Sequence, residues 1–303
     1  MTLSNARART ARGVLAMFIA VAAFSFMDAL LKSFSTHYPP LQVSALRALA
    51  TIPFILLPLW WQGRLRELQP VRWELHLLRG VLGIAMLGTF VFALREASLA
   101  SVYSVYMGAP LLIAAMAAFL LGERVGVRQW IAIGIGFVGV LVILQPRSDG
   151  LPLVAGLGTV ISALCYAAAA ITARVLTRSE HSAAIVLSFL VVVAVGATLL
   201  SLGSWTPIQA EDWLALACVG VTGAIGQHYI TTAFRDAPAA TVAPIEYTAL
   251  LWGAGIDWVV WQATPASNVF AGATLVVAAG LYVALYGQTG AASTPDQARE
   301  DRA

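Results

Sequence analysis

The chain has 303 residues, of which 59% are apolar and only 11% charged, and its mean hydropathy is +0.81. Soluble domains run roughly 45 to 50% apolar and about 25% charged, so these charges are too few to coat a water-exposed surface, and lipid must be the main solvent. Disordered, collagen-like and disulfide-dense classes are excluded with it, and a net charge of +3 is too small to point to a nucleic-acid partner.

In chain order, Arg7, Arg9 and Arg12 precede an apolar stretch that superficially resembles a signal peptide, but it reaches spanning length and is read as an uncleaved first span. At about 20 residues per span, spans are expected near 13–33, 41–61, 74–94, 99–121, 127–145, 152–174, 183–202, 212–233, 238–260 and 268–287. No separate soluble domain fits in what remains. Cys165 and Cys218 fall inside apolar stretches and read as small hydrophobes. Seven tryptophans, Trp60, Trp61, Trp73, Trp205, Trp213, Trp258 and Trp261, sit near span ends as interfacial anchors.

Orientation follows from the cations between spans. With the N-terminus inside, Arg7, Arg9, Arg12, Arg64, Arg66, Arg72, Arg79, Arg124, Arg128, Arg174, Arg178, Arg235, Arg299 and Arg302 are cytoplasmic, against Lys32, Arg95 and Arg147 outside. Arg47 is left within a span. This bias predicts ten spans with both termini cytoplasmic.

The sequence also repeats. The stretch 93–102, Ala-Leu-Arg-Glu-Ala-Ser-Leu-Ala-Ser-Val, aligns with 233–242, Ala-Phe-Arg-Asp-Ala-Pro-Ala-Ala-Thr-Val, at an offset of 140. Gly139-Val-Leu-Val-Ile-Leu144 aligns with Gly280-Leu-Tyr-Val-Ala-Leu285 after a one-residue slip. Five spans per unit is an odd number, so the second unit is expected to be inverted relative to the first. Such units, with a site near the midplane between them, are a transporter architecture. The fold class expected is therefore an all-α integral membrane protein of ten transmembrane helices, arranged as two inverted five-helix repeats at 1–146 and 147–288, with a disordered cytoplasmic tail at 289–303.

Leu120-Leu-Gly-Glu-Arg-Val125 with the glycine-rich stretch Trp130 to Leu144 resembles the signature closing an EamA repeat of the drug/metabolite transporter superfamily. Ala233-Phe-Arg-Asp-Ala-Pro238 followed by Val242-Ala-Pro-Ile-Glu-Tyr-Thr-Ala-Leu-Leu-Trp252 is similar to the matching second-repeat signature, as Pro39-Pro40 leading to Arg47 is to the family's start of span two. The resemblance implies a ten-helix carrier of small metabolites in the bacterial inner membrane, often an exporter, working without ATP. One departure is Gln262-Ala-Thr-Pro265, where relatives commonly carry Gly-Glu-x-Pro, so that Glu123 has no counterpart.

Soluble-enzyme patterns fail on context. Gly134-Ile-Gly136-Phe-Val-Gly139 satisfies G-x-G-x-x-G but lies inside an apolar span rather than between a strand and a helix. These glycines, with Ala132, read as a surface for close helix contact. There is no G-x-x-x-x-G-K-[ST] loop, H-E-x-x-H or G-x-S-x-G, and the four histidines lack metal-ligand spacing. Neither an enzymatic activity, a cofactor nor a metal is expected.

The remaining signal is a small set of polar residues within spans, each costly in hydrocarbon. Asp28 and Lys32 stand four apart near the outer end of span one, as a pair fixing the helix end, or with Asp28 as a substrate-ammonium or gate contact. Arg47 is either an anchor to loop carbonyls or a counter-ion for a substrate carboxylate. Glu246 follows Pro244, whose ring frees a carbonyl nearby. It is a candidate coupling group for protons, or it pairs with Arg235, His228 or a tyrosine. Helical spacing would place Glu246, Leu250, Gly253 and Asp257 on one face over about 16 Å, with Asp257 solvated near the outside. Tyr103, Tyr106, Tyr166, Gln227, His228, Tyr247 and Trp252 complete the expected substrate cavity, where amphipathic rings can stack on a planar or zwitterionic solute.

The function expected is a secondary transporter exporting an amino acid or similar amphipathic solute. Its partners are that solute, the bilayer and, as coupling ion, protons. No oligomeric state follows, and a monomer is compatible. The alternatives are an importer of a planar vitamin or nucleoside-like cofactor or, from another class, a membrane-embedded enzyme or non-transporting subunit.

Overall fold

The computed structural model describes residues 3–68, 70–122, 125–145, 151–237 and 239–286. Glu123, Arg124, Arg147, Pro238, Arg299, Arg302 and the expected tail at 289–303 lie outside the described residues. Among those described, the chain is all α. Its helices in order are α1 (Leu3–Ser35), α2 (Pro40–Trp61), α3 (Trp73–Glu96), α4 (Leu99–Tyr106), α5 (Ala109–Leu120) and α6 (Val127–Ile143). They continue as α7 (Leu153–Leu176), α8 (Ser182–Ser201), α9 (Trp213–Asp236), α10 (Ala239–Glu246), α11 (Ala249–Trp261) and α12 (Ser267–Tyr286). Eight helical runs, with α4 and α5 counted as one, are long and apolar enough to cross a bilayer, and α6 is a shorter apolar helix. The chain is a multi-pass membrane protein.

Local chemistry sets the helix ends. Pro40 begins α2, where a missing amide hydrogen costs nothing. Ser98 caps α4 by accepting the Ser101 amide, with Ala97 before it extended. The expected spans 99–121 and 238–260 are each interrupted. The first breaks at Met107 and Gly108 before Pro110, and the second breaks at Tyr247 and Thr248 after Pro244. In both, a proline removes a backbone donor from the ladder.

The helix boundaries recur at the offset read from the sequence. Residue 73 of α3 corresponds to 213 of α9 and 96 to 236, α4 at 99–106 corresponds to α10 at 239–246, and α5 and α11 start at 109 and 249. The packing recurs as well: α1 lies on α9 as α7 lies on α3, and α2 on α9 as α8 on α3, while α2 meets α8 and α6 meets α12. Small residues permit the close crossings. Gly80 and Gly83 of α3 face Val192 and Phe189 of α8, and Gly220 and Gly223 of α9 face Ala50 and Thr51 of α2. In the G-x-G-x-x-G stretch, Gly139 of α6 crosses Gly272 of α12 and Gly136 meets Leu111 and Ala279, whereas Gly134 faces open space.

The surface is turned inside out relative to a soluble protein. Phe119, Leu141, Leu199, Leu200 and Leu251 are all more than 60% exposed, which in water would be an aggregation liability and in a bilayer is the lipid-facing shell. Trp60, Trp61, Trp73, Trp213 and Trp258 are exposed at or near helix ends. Met17, Met27, Leu31, Leu94 and Leu99 fill the core. Cys165 and Cys218 are unpaired and half-buried.

Two clamps tie the connecting segments to the bundle. Where α3 begins, Glu180 accepts the Arg72 amide at 2.9 Å and lies 2.5 Å from His76 Nε2, while Ser188 Oγ lies 2.5 Å from His76 Nδ1. Burial alone would raise the Glu180 carboxyl, but the amide of Arg72 and the His76 ring hold it below its usual value. Where α9 begins, Tyr38 donates to Asp212 at 2.5 Å and accepts the Gln209 amide at 2.9 Å. Burial and the Asp212 carboxylate push the Tyr38 phenol upward, keeping it protonated. Beside it, Gln42 exchanges two hydrogen bonds with the backbone of Thr206, of 2.6 and 2.9 Å.

Candidate functional site

A cavity of about 490 Å³ lies among α1, α2, α3, α4, α7, α8, α9, α10 and the start of α11, a volume suited to a small metabolite. Of the residues singled out in the sequence, Asp28, Arg47, Tyr103, Tyr106, Tyr166, Gln227 and Glu246 line it. They come from α1, α2, α4, α7, α9 and α10, so the cavity is assembled by tertiary packing and by no single segment.

Asp28 accepts a hydrogen bond from the Tyr103 hydroxyl at 2.8 Å, and Arg47 acts on the same carboxylate electrostatically. The expected Asp28–Lys32 pair is not formed. Lys32 turns away, binds Asp257 Oδ1 at 3.0 Å, and sits 4.3 Å from the ring centroid of Trp261. The second Asp257 oxygen accepts the Ala100 amide at the start of α4, 2.8 Å away. Asp257 is therefore fully buried, contrary to the solvated position expected, and it joins α1, α4 and α11. The expected stripe from Glu246 to Asp257 is also interrupted, because the break at Tyr247 and Thr248 separates them into two helices.

Glu246, the last residue of α10, also lines the cavity, at the helix break. None of the pairings weighed for it forms. Arg235 binds its neighbour Asp236 at 3.1 Å, and Glu246 makes no side-chain hydrogen bond or ion pair among the described residues. Its electrostatic neighbours are the hydroxyls of Tyr106, Tyr166 and Tyr247. A chain of rings runs from Tyr103, the partner of Asp28, to Tyr166, the neighbour of Glu246. Tyr103 stacks on Phe90 at 6.4 Å, Phe90 meets Tyr106 at 5.2 Å, and Tyr106 meets Tyr166 at 5.5 Å. These spacings lie in the range of favourable aromatic contacts.

Three expected site residues stand apart from the cavity lining. His228 is exposed on the outer face of α9, because one residue beyond Gln227 is a turn of about 100° around the helix. Tyr247 is buried with its hydroxyl against Gly280 of α12 and no acceptor. Trp252 packs on Phe18 of α1, 5.6 Å between centroids. Conversely, sequence reasoning missed Arg79, Phe90 and Phe189, which line the cavity. Arg79 counts among the cytoplasmic charges by its place in the sequence, yet it lies in the second turn of α3. Its position several residues past Trp73, within an apolar run, was the available signal. Among the described residues no cluster of three or more His, Cys, Asp or Glu side chains could hold a metal ion.

The EamA-like transporter family matches residues 11–145, which end shortly after α6. The pseudopaline exporter CntI of Pseudomonas aeruginosa is 29% identical over 268 residues, covering 88% of this chain and 94% of that protein. A riboflavin transporter of Rhizobium johnstonii is 32% identical over 210 residues, 69% of each protein. A solved crystal structure, 21% identical, matches with a TM-score of 0.64 over 93% of this chain and 99% of that one, a likeness of fold alone. Apolar helices meeting around a charged, aromatic cavity, and sequence likeness extending over most of two transporters, lead to one assignment: the chain belongs to the EamA-like transporter family.

Proposed function

We propose that this secondary transporter carries a small amphipathic metabolite, with amino acids the first class to test, across the bacterial inner membrane by alternating access. The two units at 1–146 and 147–288 act as inverted five-helix bundles that rock about the cavity, with ten spans and both termini cytoplasmic. The offset of 140 shared by helix boundaries and by packing supports the repeat. The charge bias of the loops supports the orientation. The single observation that carries the reading is the cavity, where acidic, basic and aromatic side chains from both units converge.

Export is the favoured direction, in line with the exporter among the relatives. A second reading, import of a planar vitamin-like solute, is favoured by the ring chain from Tyr103 to Tyr166 and by the riboflavin transporter among the relatives. Nothing in either reading requires an enzymatic step. Glu246 is the proposed proton-coupling group, since it stands in the cavity wall without a fixed partner at a helix break.

Reconstitution in liposomes with an amino-acid and planar-metabolite panel tests both readings. Accumulation of at least one solute is expected, and a protein that moves none overturns the proposal. In the active protein, Glu246→Gln should abolish the pH dependence of uptake. Unchanged pH dependence would reject Glu246 as the coupling group.

A further inference from the structure

Every other strongly basic side chain near the cavity has an acid within reach. Lys32 has Asp257, and Arg47 has Asp28. Arg79 has no ion-pair partner among the described residues. Its Nη1 donates to the Ile185 carbonyl at 2.7 Å, and its guanidinium carbon lies 4.5 Å from the Phe189 ring centroid. Its Nε is buried with no acceptor among the described residues. A guanidinium offers five donors and stays charged. Leaving one of those donors buried and unbonded is costly, and such groups in folded proteins call for an explanation.

The helix itself does not demand this residue. At the offset of 140, Arg79 corresponds to Val219 of α9, which precedes Gly220 as Arg79 precedes Gly80, and Val219 is fully buried. An apolar side chain therefore suits the same place in the equivalent crossing. Besides Tyr166, α7 lines the cavity with the small side chains of Ala169, Ala170 and Ala173. Tyr166 is the electrostatic neighbour of both Arg79 and Glu246.

We infer that Arg79 is the anion-binding pole of the cavity, taking a carboxylate of the transported solute on its free donors, while unpaired Glu246 receives a cationic group of the same solute across Tyr166. The substrate class is then amphoteric: a carboxylate and an amine separated by a body that lies on the aromatic wall. This rests on the transport reading of the cavity. Bidentate geometry makes a guanidinium selective for planar carboxylates, whereas an ammonium binds them only as a point charge.

The test is solute counterflow in proteoliposomes holding the full chain, using matched sets of a zwitterion, its decarboxylated amine and its deaminated acid, such as phenylalanine, phenethylamine and 3-phenylpropionate, with indole and aliphatic equivalents. The wild type should prefer the zwitterion to the amine by at least about ten-fold, the scale of one charge-assisted pair. Arg79→Gln should reduce that preference to about two-fold or less with amine transport retained, and Arg79→Lys should restore part of it. The ratio of zwitterion to amine is independent of how much protein folds, so a destabilised variant still reports. A ratio unmoved in Arg79→Gln, or equal loss of all three solutes in both variants, overturns the inference and leaves the transport reading standing. A wild type that moves no member of any set overturns the transport reading and the inference with it.

Discussion

The two broken helices, α4–α5 and α10–α11, have the same backbone and different chemistry. Both break at the same register, 107–108 and 247–248, but the first break is made by Gly108 and Pro110 and the second by Pro244. Tyr106 ends α4 where Glu246 ends α10, and Ala117 occupies in α5 the place of Asp257 in α11. The turn that follows is left-handed in both, with φ of 67° at Gly122 and 53° at Gln262. Backbone geometry follows the repeat, and so do Arg95-Glu96 and Arg235-Asp236, whereas Glu246 and Asp257 depart from it where the cavity and its supports are built.

The strongest way to break this comparison is to make the second helix like the first at its buried charge. Asp257→Ala strands Lys32 beside Trp261 and leaves the Ala100 amide without its acceptor. Removing one member of a buried pair costs about 3 kcal/mol or more. Denaturant unfolding of the purified protein should show that loss. A change below about 1 kcal/mol would mean that the node joining α1, α4 and α11 contributes little.

The two clamps give a smaller and pH-dependent contrast. Because the folded Glu180 carboxyl is held below its ordinary value of 4.5, its stabilisation is full above that value and is lost as pH falls through the lower folded one. The difference in melting temperature between wild type and Glu180→Gln should therefore be constant from pH 7 to pH 5 and shrink below about pH 4.5. At the other clamp, Tyr38→Phe should give a difference that does not move over the neutral range, because the phenol is held protonated. A Glu180→Gln difference that grows on acidification would contradict the arrangement around His76 and Arg72.

The smallest effect is expected at the left-handed turn. Gln262 adopts a conformation natural to glycine, and its place is taken by Gly122 in the equivalent turn. Gln262→Gly should stabilise the protein by about 1 kcal/mol or less, relief of side-chain strain being partly offset by a more flexible unfolded chain. Loss of stability on that substitution would show that the Gln262 side chain, which donates to the Val259 carbonyl at 3.3 Å, contributes more than the strain costs.

Much of the fold was legible because it depends on local quantities. Apolar run length and the 140-residue offset located most helix ends to within a few residues, whereas the breaks at 107–108 and 247–248 fall inside stretches that read as continuous spans. Seven of ten site candidates line the cavity for the same reason: a polar group inside a span has few low-energy places to go. What the sequence concealed was the rotation of each helix. His228 is one position from Gln227 and faces outward, and Arg79 lies past Trp73 and faces inward.

The sequence by itself therefore determined that the chain is helical and membrane-embedded, that its segments recur, and which few residues carry charge into hydrocarbon. Only the tertiary structure decided the pairing: Lys32 with Asp257 across 225 residues of chain, Tyr103 with Asp28, and Arg79 with no acid among the described residues. The reason is that lipid and the protein interior are almost equally apolar. Composition then cannot say which face of a helix turns inward, and interhelical packing and hydrogen bonds settle it.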